Sequence, residues 1–283
     1  MIDQRMLFPY AYNILGSAED AKDVIQDVVS NYVARNQEGI KDEKNYLIRS
    51  VINRAINAKK RKRKIIGQSE VWLPEPVATD DAADRNLYLK DILSYSLLVL
   101  LEKLQATERA VFILKESFDY THLEIAQALS ITEEHSRKLL SRARAKLFKP
   151  GPGTKQRDAH ASVLLERYVD AIQRRDVPQL ESLLSADIAH YADGGPNIHV
   201  VKKVCIGVPQ VADLITMAYH RFLAKLTMRL VWVNYQPAFA FYDGDRLAVC
   251  QVFHIDKEGK ILQISTIVDP EKLRNQLHVD WGN

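Results

Sequence analysis

Cysteine is nearly absent from this chain of 283 residues. Cys205 and Cys250 are the only two. A disulfide-built scaffold is therefore excluded, and both stand in apolar surroundings that fit reduced core residues and a cytoplasmic setting. Long hydrophobic runs are also missing. The longest, near Tyr95–Leu101, falls well short of the roughly 20 residues a membrane-spanning helix needs, so no membrane partner is expected. Secretory-leader composition, internal repeats and low-complexity tracts are not found either. The formal net charge of +3 is too small to name a partner by itself.

What is present is ordinary soluble-protein material, unevenly distributed. Hydrophobic residues make up 47% and charged residues 27%, enough for real cores under a solvated surface. The length favours more than one domain. Residues 1–149 hold 24 Lys and Arg against 21 Asp and Glu, whereas residues 150–283 hold 15 of each. The positive excess belongs to the first half.

Residues 1–66 read as helical. Glu19–Arg35 places Ala21, Val24, Ile25, Val28, Val29 and Tyr32 at helical spacing, and Lys44–Lys64 does the same with Tyr46, Leu47, Val51, Ile52, Ala55 and Ile56. Residues 67–86 read as a linker with Gly67, Pro74, Pro76 and the pair Asp80 and Asp81. Residues 87–149 are helical again. Residues 150–156 form a second linker, opened by Pro150-Gly151-Pro152-Gly153. Residues 157–283 change character: two helices over Ala159–Arg175 and Val177–Leu184, then strand-like runs at Val231–Tyr235, Ala238–Tyr242, Arg246–Ile255 and Ile261–Val268. Asp243-Gly244-Asp245 and Asp256–Gly259 are hairpin turns between them. The expected fold is multidomain, with two all-α domains followed by an α+β domain.

Two stretches point to nucleic acid. Leu104–Leu147 reads as a helix-turn-helix. Leu123, Ile125, Ala126 and Leu129 carry the first helix, Ser130-Ile131 the break, and Thr132 the N-cap of a basic second helix. Glu133 and Glu134 sit in its first turn, where the helix dipole favours them. The helix offers Arg137, Lys138, Arg142, Arg144 and Lys146 outward, a form that can enter a major groove. The second stretch is six consecutive basic residues, Lys59–Lys64. It reads equally as a solvated helix end or as a phosphate contact that gains counterion release.

Residues 1–147 resemble a group IV, extracytoplasmic-function sigma factor of bacterial RNA polymerase. Leu15–Val29 is similar to the helix that binds the polymerase clamp, which implies that Asp23, Gln26 and Asp27 contact the polymerase core. Tyr46–Lys64 is similar to the helix that opens and reads the minus-ten element, with Asn53, Arg54, Asn57 and Lys60 on the family pattern, and Lys59 and Arg61 join them as DNA contacts. The helix-turn-helix then corresponds to the minus-thirty-five reader. Tyr120, Ile125-Ala126 and Ser141–Arg144 carry that match, and Glu133, His135, Ser136, Arg137, Lys138 and Arg142 are the implied DNA contacts. Ser130 replaces a common glycine, and Ser136 replaces a common apolar packing residue, which implies a weakened or reoriented recognition helix.

Trp72–Pro76, WLPEP, resembles the hallmark of the subgroup that fuses a SnoaL-like domain to its C-terminus. Asp193-Gly194-Gly195 and Asp269-Pro270-Glu271-Lys272-Leu273 resemble two further subgroup motifs. The resemblance implies a cone-shaped domain with a curved antiparallel sheet and an inner pocket. It makes Trp72, Pro74, Glu75, Asp193, Gly194, Gly195, Asp269, Pro270, Lys272 and Leu273 interdomain regulatory residues.

Some SnoaL-like relatives are cyclases or isomerases. Candidates for such chemistry here are Asp170, His190, Tyr191, Asp193, His199, Trp232, Tyr242 and His254. Asp193 precedes two glycines and reads first as a turn residue. His190 and His199 lack metal-site spacing. No catalytic residue, metal or cofactor is expected. The leading expectation is a sigma factor that takes polymerase core and promoter DNA as partners, with activity modulated in cis by the C-terminal domain and its pocket open to an unidentified small ligand. The alternatives are a ligand-responsive helix-turn-helix regulator, or an isomerase or cyclase with a docking module.

Overall fold

The computed structural model describes residues 3–34, 40, 42–66, 71–79, 89–147, 159–200 and 204–279. The sequence-read linker features Asp80, Asp81 and Pro150–Gly153 lie outside the described residues.

The first bundle follows a 3-10 turn at Gln4–Leu7 and consists of α1 (Phe8–Leu15), α2 (Ala18–Ala34) and α3 (Glu43–Ile66). Each buries the face its spacing predicts: Phe8, Tyr12 and Leu15 on α1; Ala21, Val24, Ile25 and Val28 on α2; Leu47, Val51, Ile52 and Ala55 on α3. Gly16 ends α1 in the left-handed conformation at φ 73°. A Cβ there would lie 3.1 Å from the Trp72 ring and 3.3 Å from the Glu102 carboxylate, so glycine serves both the turn and the close approach.

The second helical unit comprises α4 (Tyr95–Leu101), α5 (Ala106–Glu116), α6 (His122–Leu129) and α7 (Glu133–Lys146). Thr121 and Glu124 form a reciprocal capping box at the start of α6, and Thr132 caps α7 by accepting from the His135 amide at 3.1 Å. Ser130 takes the left-handed position at φ 54° that closes α6. Leu123, read as part of the apolar pattern, is 52% exposed; Ile125, Ala126 and Ala128 pack instead. The two helical units share one hydrophobic core. It runs from Leu7 to Leu147 without interruption between them.

The C-terminal domain contains α8 (Ala159–Arg174), α9 (Val177–Leu183), β1 (Leu184–Asp193), β2 (Cys205–Ile206), α10 (Val208–Ala218), a π-helical turn at Tyr219–Leu223, β3 (Thr227–Val233), β4 (Gln236–Asp243), β5 (Arg246–Ile255), β6 (Ile261–Ile267) and α11 (Pro270–Leu273). The sheet order is β2-β1-β6-β5-β4-β3. It is mixed, because β1 lies parallel to β6 while the β3–β6 meander is antiparallel. Strand β1 leaves a helix rather than a hairpin, so nothing in its connection imposes an antiparallel neighbour. Strand β1 and helix α10 were not read from the sequence. The run SADIAHYAD of β1 is poor in β-branched residues, and its pairing with β6 decides its conformation.

The sheet separates two cores by its period of two. Phe239, Phe241, Val249, Phe253 and Ile264 face α8, α9 and α10. Ala238, Ala240, Cys250, Val252 and Ile267 face the other way, against Leu73, Tyr95 and Val99 of the linker and α4. The second face is therefore not a solvent face. It is where the helical half of the chain sits.

Candidate nucleic-acid interface and interdomain joint

Asp23, Gln26 and Asp27 project from one side of α2 at i, i+3 and i+4 and are all exposed. Asp27 Oδ2 is 2.5 Å from Arg54 Nη2, so a candidate polymerase contact and a candidate DNA contact are held to each other. Asn57, Lys60 and Arg61 are exposed on α3. Asn53 is partly buried, and its Nδ2 donates to the Ala128 carbonyl at the end of α6 at 2.8 Å.

Lys59 is not the free phosphate contact expected from the basic run. It is 5% exposed, and Nζ donates to the Leu15 carbonyl at 2.9 Å and to the Glu102 carboxylate at 2.8 Å. Burial lowers its ammonium to about 7, and Glu102 opposes the fall. Glu102 also pairs with the fully buried Arg109, whose Nε donates to the Asn13 carbonyl at 2.8 Å. Burial alone would raise Glu102, but the Arg109 and Lys59 charges outweigh it and hold the carboxyl below its ordinary value. Arg63 reaches the Leu104 carbonyl. One side of the basic helix is thus already occupied by the second helical unit.

On α7, His135, Arg137, Lys138 and Arg142 are exposed, and Glu133 is half-exposed and paired with Arg137 at 2.7 Å. Ser136 corrects the sequence reading. It is fully buried, and its Oγ meets His122 Nδ1 at 2.9 Å, so it packs α7 on α6 and cannot touch a base. The polar pair takes the place of the usual apolar contact, and the recognition helix is seated rather than loose.

Four of the five residues of WLPEP have an identifiable physical task. The Trp72 ring has Lys59 Nζ from α3 and Lys272 Nζ from α11 both 4.3 Å from its centroid. The Leu73 amide donates to Asp193 Oδ2 at 2.6 Å, and its carbonyl accepts from Lys272 Nζ at 2.6 Å. The Pro74 carbonyl accepts from the Tyr95 hydroxyl at 2.7 Å. Glu75 reaches the start of α2, where its Oε2 accepts from the Ala18 amide at 2.7 Å, the Glu19 amide at 3.2 Å and the Ser17 hydroxyl at 3.1 Å. A linker carboxylate therefore caps the helix that carries Asp23, Gln26 and Asp27.

The other two motifs meet at the same point. Asp193 is 4% exposed, pairs with Lys272 at 2.5 Å and accepts from the Gly195 amide at 2.8 Å. Turn residue and latch residue are one. Gly195 has φ 61°, and a Cβ there would lie 2.5 Å from the Asp269 carboxylate, while one on Gly194 would lie 2.0 Å from the Ile198 carbonyl oxygen. Asp269 caps α11 by accepting from the Glu271 amide. Leu273 packs in the core that also holds Leu73 and Tyr95. Burial lowers Lys272 despite the opposing Asp193 charge. Arg274, one residue beyond α11, pairs with Glu19 on α2.

Sequence reading missed the joint's central residue. The residue pattern predicts strand over Val231–Tyr235, yet the strand ends at Val233, and Asn234 and Tyr235 form the turn, at φ 48° and 61°. Asn234 is fully buried. Its Oδ1 accepts from the Val77 amide at 3.0 Å and the Tyr12 hydroxyl at 3.2 Å, and its Nδ2 donates to the Leu93 carbonyl at 3.1 Å. Gln236 Oε1 accepts from the Ser96 amide at 2.6 Å. The available signal was an Asn beside a polar-aromatic break, a residue that tolerates positive φ.

Among the described residues Asp170, His190 and Asp193 do not assemble into an acid–base pair, although His190 and His199 line one cavity. His190 and Asp193 differ by an odd number on one strand and face opposite sides of the sheet. Asp170 pairs with Arg174 at 2.8 Å, and His199 is exposed. His190 Nε2 meets Thr266 Oγ1 at 2.9 Å, and burial lowers its ring to about 4. Among the described residues it has no carboxylate partner.

Two helical units flank a linker whose residues 71–79 are described, an α+β domain docks on both, and the comparisons with known proteins make this a sigma-type arrangement. Residues 2–65 match Sigma-70 region 2, and residues 94–147 match Sigma-70, region 4. The ECF RNA polymerase sigma factor SigJ of Mycobacterium tuberculosis is 26% identical over 282 residues, spanning 94% of this chain and 89% of that protein. The probable ECF RNA polymerase sigma factor SigI of the same species is 26% identical over 273 residues, with 94% and 91% covered. The crystal structure of M. tuberculosis SigJ superposes with a TM-score of 0.75 over 95% of each chain at 23% identity. The chain carries sigma-70 regions 2 and 4 and is similar along nearly its whole length to extracytoplasmic-function sigma factors, which supports a sigma factor for transcription initiation. Its domains imply polymerase core and promoter DNA as partners. Among the described residues no helix is long and apolar enough to cross a membrane.

Proposed function

We propose that the C-terminal domain restrains this sigma factor in cis by holding regions 2 and 4 against each other. The division that supports this reading is region 2 at 1–66, the WLPEP linker at 67–86, region 4 at 87–149, a connecting stretch at 150–156 and the SnoaL-like domain at 157–283. The single observation that carries the proposal is the joint at Asn234: one side chain of the C-terminal domain bonds to region 2, the linker and the start of region 4. In the docked state Asn53 and Lys59 are spent on region 4, so the minus-ten face is incomplete. Promoter elements read by regions 2 and 4 are separate stretches of duplex, and a shared core cannot serve both. Polymerase and DNA favour the opened form to the extent that they bind it better.

In this reading Asp23, Gln26 and Asp27 contact the core polymerase. Asn53, Arg54, Asn57, Lys59, Lys60 and Arg61 contact the minus-ten region once opened, and Glu133, His135, Arg137, Lys138 and Arg142 the minus-thirty-five region. The protein acts in the cytoplasm, and the polymerase performs the chemistry. Among the described residues His190 is bonded to the Thr266 hydroxyl and not to a carboxylate, which favours a regulatory domain over an isomerase or cyclase. Two measurements test the proposal. Gel filtration with core polymerase must give a stoichiometric complex. Promoter-dependent transcription in vitro must rise for Asn234→Gly, which keeps the left-handed turn and removes the joint. Equal transcription from both proteins sinks the restraint.

A further inference from the structure

A chain of largely buried ionised side chains runs through all three units of the protein. Region 4 supplies Arg109 and Glu102, region 2 supplies Lys59, and the C-terminal domain supplies Lys272 and Asp193. Ion pairs close both ends. Arg109 meets the Glu102 carboxylate, which Lys59 Nζ also reaches at 2.8 Å, and Lys272 Nζ lies 2.5 Å from Asp193 Oδ2. The middle is filled by the Trp72 indole, with the Lys59 and Lys272 ammoniums each 4.3 Å from its centroid. Within this chain three cations face two carboxylates, so one positive charge is in excess. A charge withdrawn from water needs compensation. The Trp72 π system supplies part of it, and the Asn13, Leu15 and Leu73 carbonyls, which accept from Arg109, Lys59 and Lys272, supply the rest.

The C-terminal domain sets where the indole stands. Asp193 accepts from the Leu73 amide and Lys272 donates to the Leu73 carbonyl, so the residue next to Trp72 is held on both of its peptide groups by the latch pair. The indole in turn bounds the seat of Lys59. A Cβ on Gly16 would lie 3.1 Å from the Trp72 ring and 3.3 Å from Glu102 Oε1, so ring and carboxylate press on the same glycine, one residue past the Leu15 carbonyl that Lys59 bonds. A shift of the ring therefore disturbs the Lys59–Glu102 contact. Groups that share one ion network do not respond independently.

We infer that Trp72 is a positioning residue, the relay through which the Asp193–Lys272 pair of the C-terminal domain holds Lys59 of region 2 on Glu102 of region 4. With the pair intact the indole keeps the ammonium seated. With the pair broken Lys59 leaves Glu102 while the C-terminal domain is still docked, and a side chain suited to a DNA phosphate is set free first. The value of that release for promoter binding rests on the restraint proposed above; the relay itself rests on the ion chain.

The test is competitive acylation of lysine amines in the full chain, read by mass spectrometry, with exposed Lys60 as the internal reference. Hydrogen exchange of the Thr79 and Asn234 amides, which donate to the Trp232 and Val77 carbonyls at 2.8 and 2.9 Å, reports whether the domain stays docked. Lys272→Met should speed Lys59 acylation relative to Lys60 by about fivefold or more, with both amides protected as before. Asp193→Asn combined with Lys272→Met leaves no orphan ion in the pair and should act alike. Trp72→Leu should raise Lys59 acylation by itself, and adding either latch change to it should give no further rise. Trp72→Phe keeps a π face and should preserve the response. An unmoved Lys59 in both latch variants overturns the relay. So does a rise that comes with lost protection at Thr79 and Asn234, since the whole domain has then undocked, or a rise of equal size in the Trp72→Leu background. Trp72→Phe behaving as Trp72→Leu overturns the part given to the π face. All of these are read without transcription, so a failed relay and a failed restraint remain distinguishable.

Discussion

Lys59, in the basic run of region 2, donates to both oxygens of Glu102 in region 4, at 2.9 and 2.8 Å. A side chain suited to a DNA phosphate is thus held by a carboxylate of the same protein. Lys59→Met should leave the DNA affinity of the isolated, docked protein nearly unchanged. In the polymerase complex it should weaken promoter binding and flatten the slope of log affinity against log salt by about 0.7–0.9, one phosphate contact. Binding measured across a salt series, with and without core polymerase, checks this. Equal loss in both settings contradicts the occupied state of Lys59.

Glu75 gives a prediction about stability. Its carboxylate serves two backbone amides and the Ser17 hydroxyl at the head of α2. Glu75→Ala should cost about 1–2 kcal/mol, typical of a lost helix cap. Glu75→Gln, which can still accept, should cost less. Thermal unfolding of the full chain should rank native, Gln and Ala in falling order, and an unchanged Ala variant removes the cap from the account.

Ser136 and His135 are adjacent on α7 and should behave oppositely. Ser136→Ala leaves His122 Nδ1 without its partner and should destabilise by about 1 kcal/mol, with minus-thirty-five base preference intact. His135→Ala should leave stability unchanged and relax the base preference. Thermal melts beside a binding series over single-base promoter variants separate the two. A shifted preference in Ser136→Ala returns that residue to the interface.

His190 makes the C-terminal domain acid-sensitive. Its folded value of about 4 lies below the ordinary 6.5, because burial disfavours the charged ring. As pH falls below 6.5, the unfolded chain takes the proton first, so stability drops from there down to about pH 4. The full effect is about 3 kcal/mol. His254 is lowered in the same direction, also by burial, and adds to the fall. Calorimetry from pH 7 to 4 should show a shallower decline for His190→Gln than for the native chain, and parallel curves refute the assignment.

Much of the architecture was legible in the sequence because it is local. The helical periodicity of α2 and α3, the Thr132 cap and the turns at Gly244 and Gly259 are set by neighbours a few residues away. The three subgroup motifs could be found, but not what they do, since Leu73, Asp193 and Lys272 acquire meaning only when brought together. Asn234, Glu102 and Arg109 were invisible. Nothing in a run of sequence marks an asparagine that will serve three partners, or a carboxylate destined for an arginine and a lysine from different units. The burial of Lys59 and of Ser136 stayed hidden for the converse reason: a basic run and a basic helix look solvated until their packing is known.

The bond between Tyr12 and Asn234 spans 222 positions. At about 5–20 residues per second, the ribosome delivers Asn234 some 10–45 s after Tyr12. A nascent chain therefore carries both promoter readers before it carries what closes them. Under the restraint proposed above, every copy begins its existence unlatched, and the latch follows only once the C-terminal sheet has been made.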